Sequence, residues 1–329
     1  MKRRRLLQDG STASEIGLGC MSFAGFYGAT DEKTSHETLA YCVDHGLDFM
    51  DTSNVYGDGV SEAIIGTFIK KTRAKLVVAT KGGIVRDGRS DKRFDNSEPY
   101  LRVNLEESLK RLHVDCVDLF YIHRRDPDIA IEDVMETLLK FKREGLIKGI
   151  GLSEVSPTTL RRAAAVGPVD AVQSEYSLWT RQPELGMIQA CRDLGVTFVP
   201  FSPLARGVFS QNYPDIQAMA KTDFRAAIPR FQTDNYARNI AIIDRFKTYA
   251  ADRGVTVSSL AMAWVLNRGD HLIPIPGTRT AEHLEEWAKA DQIKLNQSDM
   301  NEIEDILPVG FAYGDRYSHA QSRTAERYC

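Results

Sequence analysis

Short apolar runs alternate with longer amphipathic stretches eight times along this 329-residue chain, almost without interruption. The runs cover 16–20, 47–52, 76–81, 117–123, 147–153, 171–177, 197–203 and 271–276. They are rich in β-branched residues and apolar on both faces, as a strand is when helices cover one side and a packed interior the other. Helical patterns follow at 33–45, 61–71, 99–112, 131–144, 157–166 and 183–194, then at 235–252 with 256–268, and finally at 280–290. A helix in every crossover forces neighbouring strands to run parallel, and eight such units close on themselves. The expectation is an α/β chain folded as a (β/α)8 TIM barrel, with an N-terminal hairpin over 3–15 and a single domain spanning 1–329.

Three stretches are longer than a connecting loop requires: 84–98, 204–234 and the tail beyond 308. Loops of more than about 12–15 residues are usually functional or mobile. The first two leave strand C-termini, so they fall on the face where barrels carry their chemistry and are expected to enclose a substrate.

That face is also where four polar residues converge. Asp51, Lys81 and His123 close the runs LDFMDT, LVVATK and VDLFYIH, and Tyr56 follows the first in the loop NVYGDG. A buried ammonium needs an anion, and Asp51 on the neighbouring strand is the candidate partner for Lys81. A phenol has a pKa of about 10, and an adjacent ammonium favours the phenolate, so Lys81 is expected to draw the pKa of Tyr56 downwards. His123 would hydrogen-bond a carbonyl oxygen and share its developing charge. The set reads as a proton donor to a carbonyl that still needs a hydride carrier.

Other chemistries find less support. There is no GxGxxG after the first strand, no Walker-type loop, and no HExxH or paired-histidine spacing, so no metal site is expected. Five scattered cysteines without a CxxC pair suit a reducing cytoplasm. A net charge of −3 gives no reason to expect nucleic acid or an anionic membrane surface. No run approaches 18 apolar residues, and the N-terminal KRRR lacks the apolar stretch of a signal peptide.

The segments DTSNVYGDGVSE (51–62), ATK (79–81), LFYIH (119–123) and GLSEVSP (151–157) resemble the aldo-keto reductases. GLGCM (17–21), HRRDP (123–127), QSEYSLWTR (173–181) and PIPGTR (274–279) are similar to the branch of auxin-induced-protein and perakine-reductase type. The resemblance implies metal-free reduction of aldehydes and ketones by NADPH, with NADH the lesser alternative, and Asp51, Tyr56, Lys81 and His123 as the catalytic set. It implies that Gly19, Cys20 and Met21 run beside the nicotinamide ribose and that Ser153 and Gln173 meet the carboxamide. The resemblance also places Phe201 where a stacking tyrosine is usual, and implies that Ser202, Leu204 and Arg206 line the pyrophosphate. By the same resemblance, Gly277, Thr278, Arg279 and His283 would surround the 2′-phosphate, and Glu286 would meet the adenine. Glu154 and Trp287 stand where the family usually has asparagine. Trp179 is expected to wall the substrate pocket, with Phe23, Phe26 and His113 as further candidates. Two other readings share these residues: an NADPH-binding redox sensor, since channel β-subunits belong to the wider family, and a lyase using Lys81 as a Schiff-base nucleophile.

Overall fold

The computed structural model describes residues 1–85, 93–220 and 223–328. Its strands are β1 (Arg3–Arg5), β2 (Thr12–Ser14), β3 (Leu18–Gly19), β4 (Phe49–Asp51), β5 (Val77–Gly82), β6 (Val117–Ile122), β7 (Ile147–Ser153), β8 (Ala171–Glu175) and β9 (Thr197–Phe201). Strands β1 and β2 form the expected antiparallel hairpin. Strands β3 to β9 lie side by side in chain order, all parallel. The surrounding helices include α1 (Glu32–Asp44), α2 (Val60–Thr72), α3 (Glu98–Leu112), α4 (Ile131–Arg143), α5 (Pro157–Val166), α6 (Met187–Leu194), α7 (Thr233–Asp252), α8 (Val257–Leu266) and the short α9 (Ala281–Glu285). Among the described residues no helix is long and apolar enough to cross a membrane.

The run 271–276 closes the barrel without becoming a full strand. The Ile273 and Ile275 amides donate to the carbonyls of Phe198 and Pro200 in β9, both at 2.9 Å. On the other side, Gly17 and Gly19 donate to the carbonyls of Pro274 and Pro276 at 2.9 Å. Two prolines on that side have no N–H to return, so only half of the ladder towards β3 can form. On the β9 side Pro200 lacks an N–H, so the eighth element meets both neighbours through isolated bridges.

Alternation along the strands separates two cores. Phe49, Ala79, Leu119, Tyr121, Ala171, Val199, Ile273 and Ile275 fill the barrel, with Leu6 and Leu7 of the hairpin packed among them. Strand β7 contributes glycine inside: a Cβ at Gly151 would overlap the Tyr121 ring, and one at Gly149 would come within 2.5 Å of Leu7. Met50, Val78, Phe120, Ile150, Leu152, Val172 and Phe198 face the helices.

The helices begin where local chemistry permits. Asp31 accepts from the Thr34 amide ahead of α1, and Ser156 accepts from Thr159 ahead of α5, whose first residue is Pro157. Helix α2 packs closely against the end of α3, where a Cβ on Gly66 would overlap the Arg111 carbonyl oxygen. Beside that contact Arg111 donates to Glu62 at 2.7 Å, and Glu62 accepts from Thr80 at 2.5 Å. Helix propensity alone favours alanine over glycine by about 1 kcal/mol. The steric overlap opposes it, so Gly66→Ala is expected to destabilise by about 1–3 kcal/mol, measured as a lowered urea midpoint.

Candidate active site

The barrel brings the tetrad together at the C-terminal strand ends. Lys81 is fully buried; its ammonium donates to Asp51, to the Thr52 carbonyl at 2.8 Å and to the Tyr56 hydroxyl at 3.4 Å. The Gln173 amide holds the other Asp51 oxygen at 2.7 Å. The His123 amide donates to the Gly82 carbonyl at 2.9 Å, and His123 Nδ1 lies 3.1 Å from Ser53 Oγ. The rings of Tyr56 and His123 meet edge to face, 5.8 Å between centroids.

Burial and charge compete here. Burial would lower the Lys81 pKa, but Asp51 and Tyr56 outweigh it and hold the ammonium above its usual range. A lysine so buried and so charged lacks the free amine that a Schiff-base lyase requires. Burial raises the Asp51 carboxyl, and Lys81 and Gln173 offset only part of that. Tyr56 departs from the sequence reading: burial is the largest influence, so its pKa lies above the ordinary value although Lys81 pulls it down. The phenol therefore stays protonated at neutral pH.

Asp51, Tyr56 and His123 line one end of a cleft of about 630 Å³. Gly19, Met21, Gln173, Phe201, Ser202 and Leu204 continue along it, and Gly277, Thr278, Arg279, His283 and Glu286 line its far end. Two segments meet across the cleft: the Phe224 amide donates to the Phe26 carbonyl at 3.4 Å, and the Arg225 guanidinium stacks on Tyr27. Ser202, Ala205 and Arg206 all have positive φ, an unusual density of left-handed non-glycine residues in a loop that borders the cleft.

Some expected residues are placed elsewhere. The Cys20 side chain is buried in the outer core. Ser153 is buried and accepts from Arg124 at 3.1 Å. Arg206 does line the cleft, but Glu175 balances its charge at 2.8 Å. Trp179 does not line the cleft; it packs on Phe231 and under the Arg230 guanidinium. Phe26 borders the cleft, whereas Phe23 is in the outer core and His113 ends α3. Glu154 forms an ion pair with Arg316 of the C-terminal tail. Glu286 accepts from Ser258 at 2.9 Å, and Trp287 lines the cleft although it is almost fully buried. Of the stretch 84–98, residues 86–92 lie outside the described residues, and Ile84 lines the cleft.

Sequence reasoning missed Tyr27, Arg124, Arg225 and Tyr317, all of which line the cleft. Only Arg124 carried a usable signal, as the neighbour of His123.

The far end suits a phosphorylated nucleotide. Among the described residues Arg279 has no carboxylate partner, and nearby Asp223 is taken by Arg225 at 2.7 Å. An arginine without an acid beside a long cleft fits a phosphate, and the Phe201 ring fits an apolar stacking role.

Comparison with known proteins agrees with this geometry. Residues 15–308 match the Aldo/keto reductase family. A probable aldo-keto reductase 1 of Glycine max is 38% identical over 98% of this chain and 94% of its own. Aldo-keto reductase yakc (NADP(+)) of Schizosaccharomyces pombe is also 38% identical, over 93% of this chain and 92% of its own. Among solved structures, a glycerol dehydrogenase from Gluconobacter oxydans superposes with a TM-score of 0.84 at 27% identity, covering 93% of this chain and 94% of that one. The chain belongs to the aldo-keto reductase family, whose members are NAD(P)H-dependent oxidoreductases on the (β/α)8 barrel.

Proposed function

We propose that the protein reduces an aldehyde or ketone to the alcohol with NADPH, Tyr56 giving the proton to the carbonyl oxygen. The observation that carries this reading is the Tyr56 hydroxyl 3.4 Å from the buried, Asp51-paired Lys81 ammonium, in a cleft shared with His123. A nicotinamide nucleotide bound along the cleft supplies the hydride, which no side chain can. Phe201 would face the nicotinamide, with Ser153 and Gln173 at its carboxamide and Gly19, Cys20 and Met21 beside the ribose. Ser202, Leu204 and Arg206 would follow the pyrophosphate. Gly277, Thr278, Arg279, His283 and Glu286 would hold the phosphorylated adenosine.

Each tetrad member has a defined task. Lys81 makes the phenolate left after proton donation less costly than burial alone would make it. Asp51 keeps Lys81 charged and fixed. A Ser53 hydroxyl that donates to His123 Nδ1 leaves Nε2 as an N–H for the substrate oxygen, where it orients the carbonyl and stabilises charge. A reducing cytoplasm is the proposed setting; Cys20, Cys42, Cys116 and Cys191 are all free thiols.

NADPH oxidation against a panel of aldehydes and ketones tests the proposal. Turnover supports it, and tight NADPH binding with no turnover would favour the redox-sensing alternative. Arg279→Ala is expected to weaken NADPH about 10- to 100-fold, the worth of a charge-assisted contact, and NADH far less. Fluorescence titration with each nucleotide checks this, and equal weakening would remove Arg279 from the phosphate.

A further inference from the structure

Among the described residues, several guanidiniums gather behind and along the substrate end of the cleft. Behind it, Glu154 and Glu175 are met by Arg316 and Arg206, with Arg316 also 3.8 Å from Glu175. Arg230 joins the same group through Thr180, donating to its hydroxyl at 2.8 Å while that hydroxyl donates to Glu175 at 3.2 Å. Arg124 adds a fourth guanidinium beside Ser153. Burial is the main influence that pushes the Arg230 pKa down to about 10; Glu175 and Asp315 oppose the fall, and Arg316 and Arg206 add to it.

Of this group Arg206 and Arg124 line the cleft; Glu175 holds Arg206, which leaves Arg124 as the lining guanidinium with no salt bridge among the described residues. It lines the cleft, and its Nη1 is fixed by the His123 carbonyl at 2.6 Å and Ser153 Oγ at 3.1 Å. Both acceptors are neutral, and among the described residues no carboxylate is within salt-bridge distance of Arg124; it acts electrostatically on Glu154, which is already paired with Arg316. Its Nε and Nη2 form no hydrogen bond there and are not sealed from solvent. That pair of parallel N–H groups is the edge of a guanidinium that grips a carboxylate through two oxygens. Phe26, Val55 and Ile84 supply apolar lining in the same cleft.

Resting on the reductase reading, we infer that the carbonyl substrate carries a carboxylate, which Arg124 binds while the carbonyl lies between Tyr56 and His123. Arg279 and Arg124, neither in a salt bridge among the described residues, then have separate duties, one for the nucleotide phosphate and one for the substrate anion. Arg124 is a recognition residue in this scheme, and Phe26, Val55 and Ile84 accommodate an apolar body between carbonyl and anion.

The test measures kcat/KM with NADPH for 4-carboxybenzaldehyde and for benzaldehyde, in the parent, Arg124→Gln and Arg124→Lys. The parent should favour the carboxylate, and the ratio should fall about 10- to 100-fold in Arg124→Gln, mainly through KM, with part of it kept by Arg124→Lys. No preference in the parent, or an equal loss on both aldehydes, would overturn the inference and leave Arg124 a structural brace for His123. A larger, Arg124-dependent ratio for glyceraldehyde 3-phosphate over glyceraldehyde would replace the carboxylate by a phosphate and overturn the stated class. If no aldehyde is reduced, the reductase reading fails, and calorimetry with 4-hydroxymethylbenzoate judges the anion site separately. Binding that Arg124→Gln abolishes sustains the site; no binding by the parent overturns it.

Discussion

Tyr56→Phe is expected to retain the nucleotide and to lose carbonyl reduction by about 10²–10⁴-fold in kcat, the contribution of a positioned general acid. The ring stays, with its edge-to-face contacts to His123 and Phe26, and only the proton is removed. The pH profile follows from burial, which keeps the Tyr56 pKa above its ordinary value. The phenol then remains protonated across neutrality, so reduction should be level there and decline only as pH rises through a value above about 10. Alcohol oxidation, which needs the phenolate, should climb over the same range. A reduction rate already falling near pH 7, or near-normal turnover by the phenylalanine variant, would remove Tyr56 from the donor's role.

Asp51→Asn is expected to cost about 3–5 kcal/mol of stability, because it leaves the Lys81 ammonium buried without its counter-charge. The shape of the site changes little, so the loss is electrostatic and has a definite pH signature. In the parent, the raised Lys81 pKa contributes stability that is complete below the unfolded value, about 10.4, and is lost as pH rises through the folded one. In the variant, burial acts without Asp51 and lowers the Lys81 pKa, so the unfolded state binds the extra proton and stability rises with pH. The gap between the two proteins in urea unfolding should therefore narrow from pH 7 towards pH 10. A gap that is constant over this range would show that the ammonium is not the source of the loss.

Much of the architecture was legible because its signals are local. Alternating strand and helix patterns dictate parallel neighbours, and parallel neighbours in chain order put Asp51, Lys81 and His123 on one face. The closing strand was the exception, since the effect of Pro274 and Pro276 depends on which side of the ladder each faces. The site was legible where residues end strands and obscure where partners come from afar. Arg316 reaches Glu154 across 162 positions, and Arg206 reaches Glu175 across 31. Trp179 carries an aromatic ring at the right end of the barrel, yet Phe231 and Arg230 take it into the interior.

By itself, then, the sequence determined the barrel and the meeting of an acid, a phenol, an amine and an imidazole, because periodicity and strand order are carried by neighbouring residues. Tertiary structure alone decided which charges are paired, leaving Arg124 and Arg279 without a salt bridge among the described residues. It also reversed the expected shift of Tyr56, because desolvation depends on everything packed around a group and Coulomb attraction to one lysine does not outweigh it.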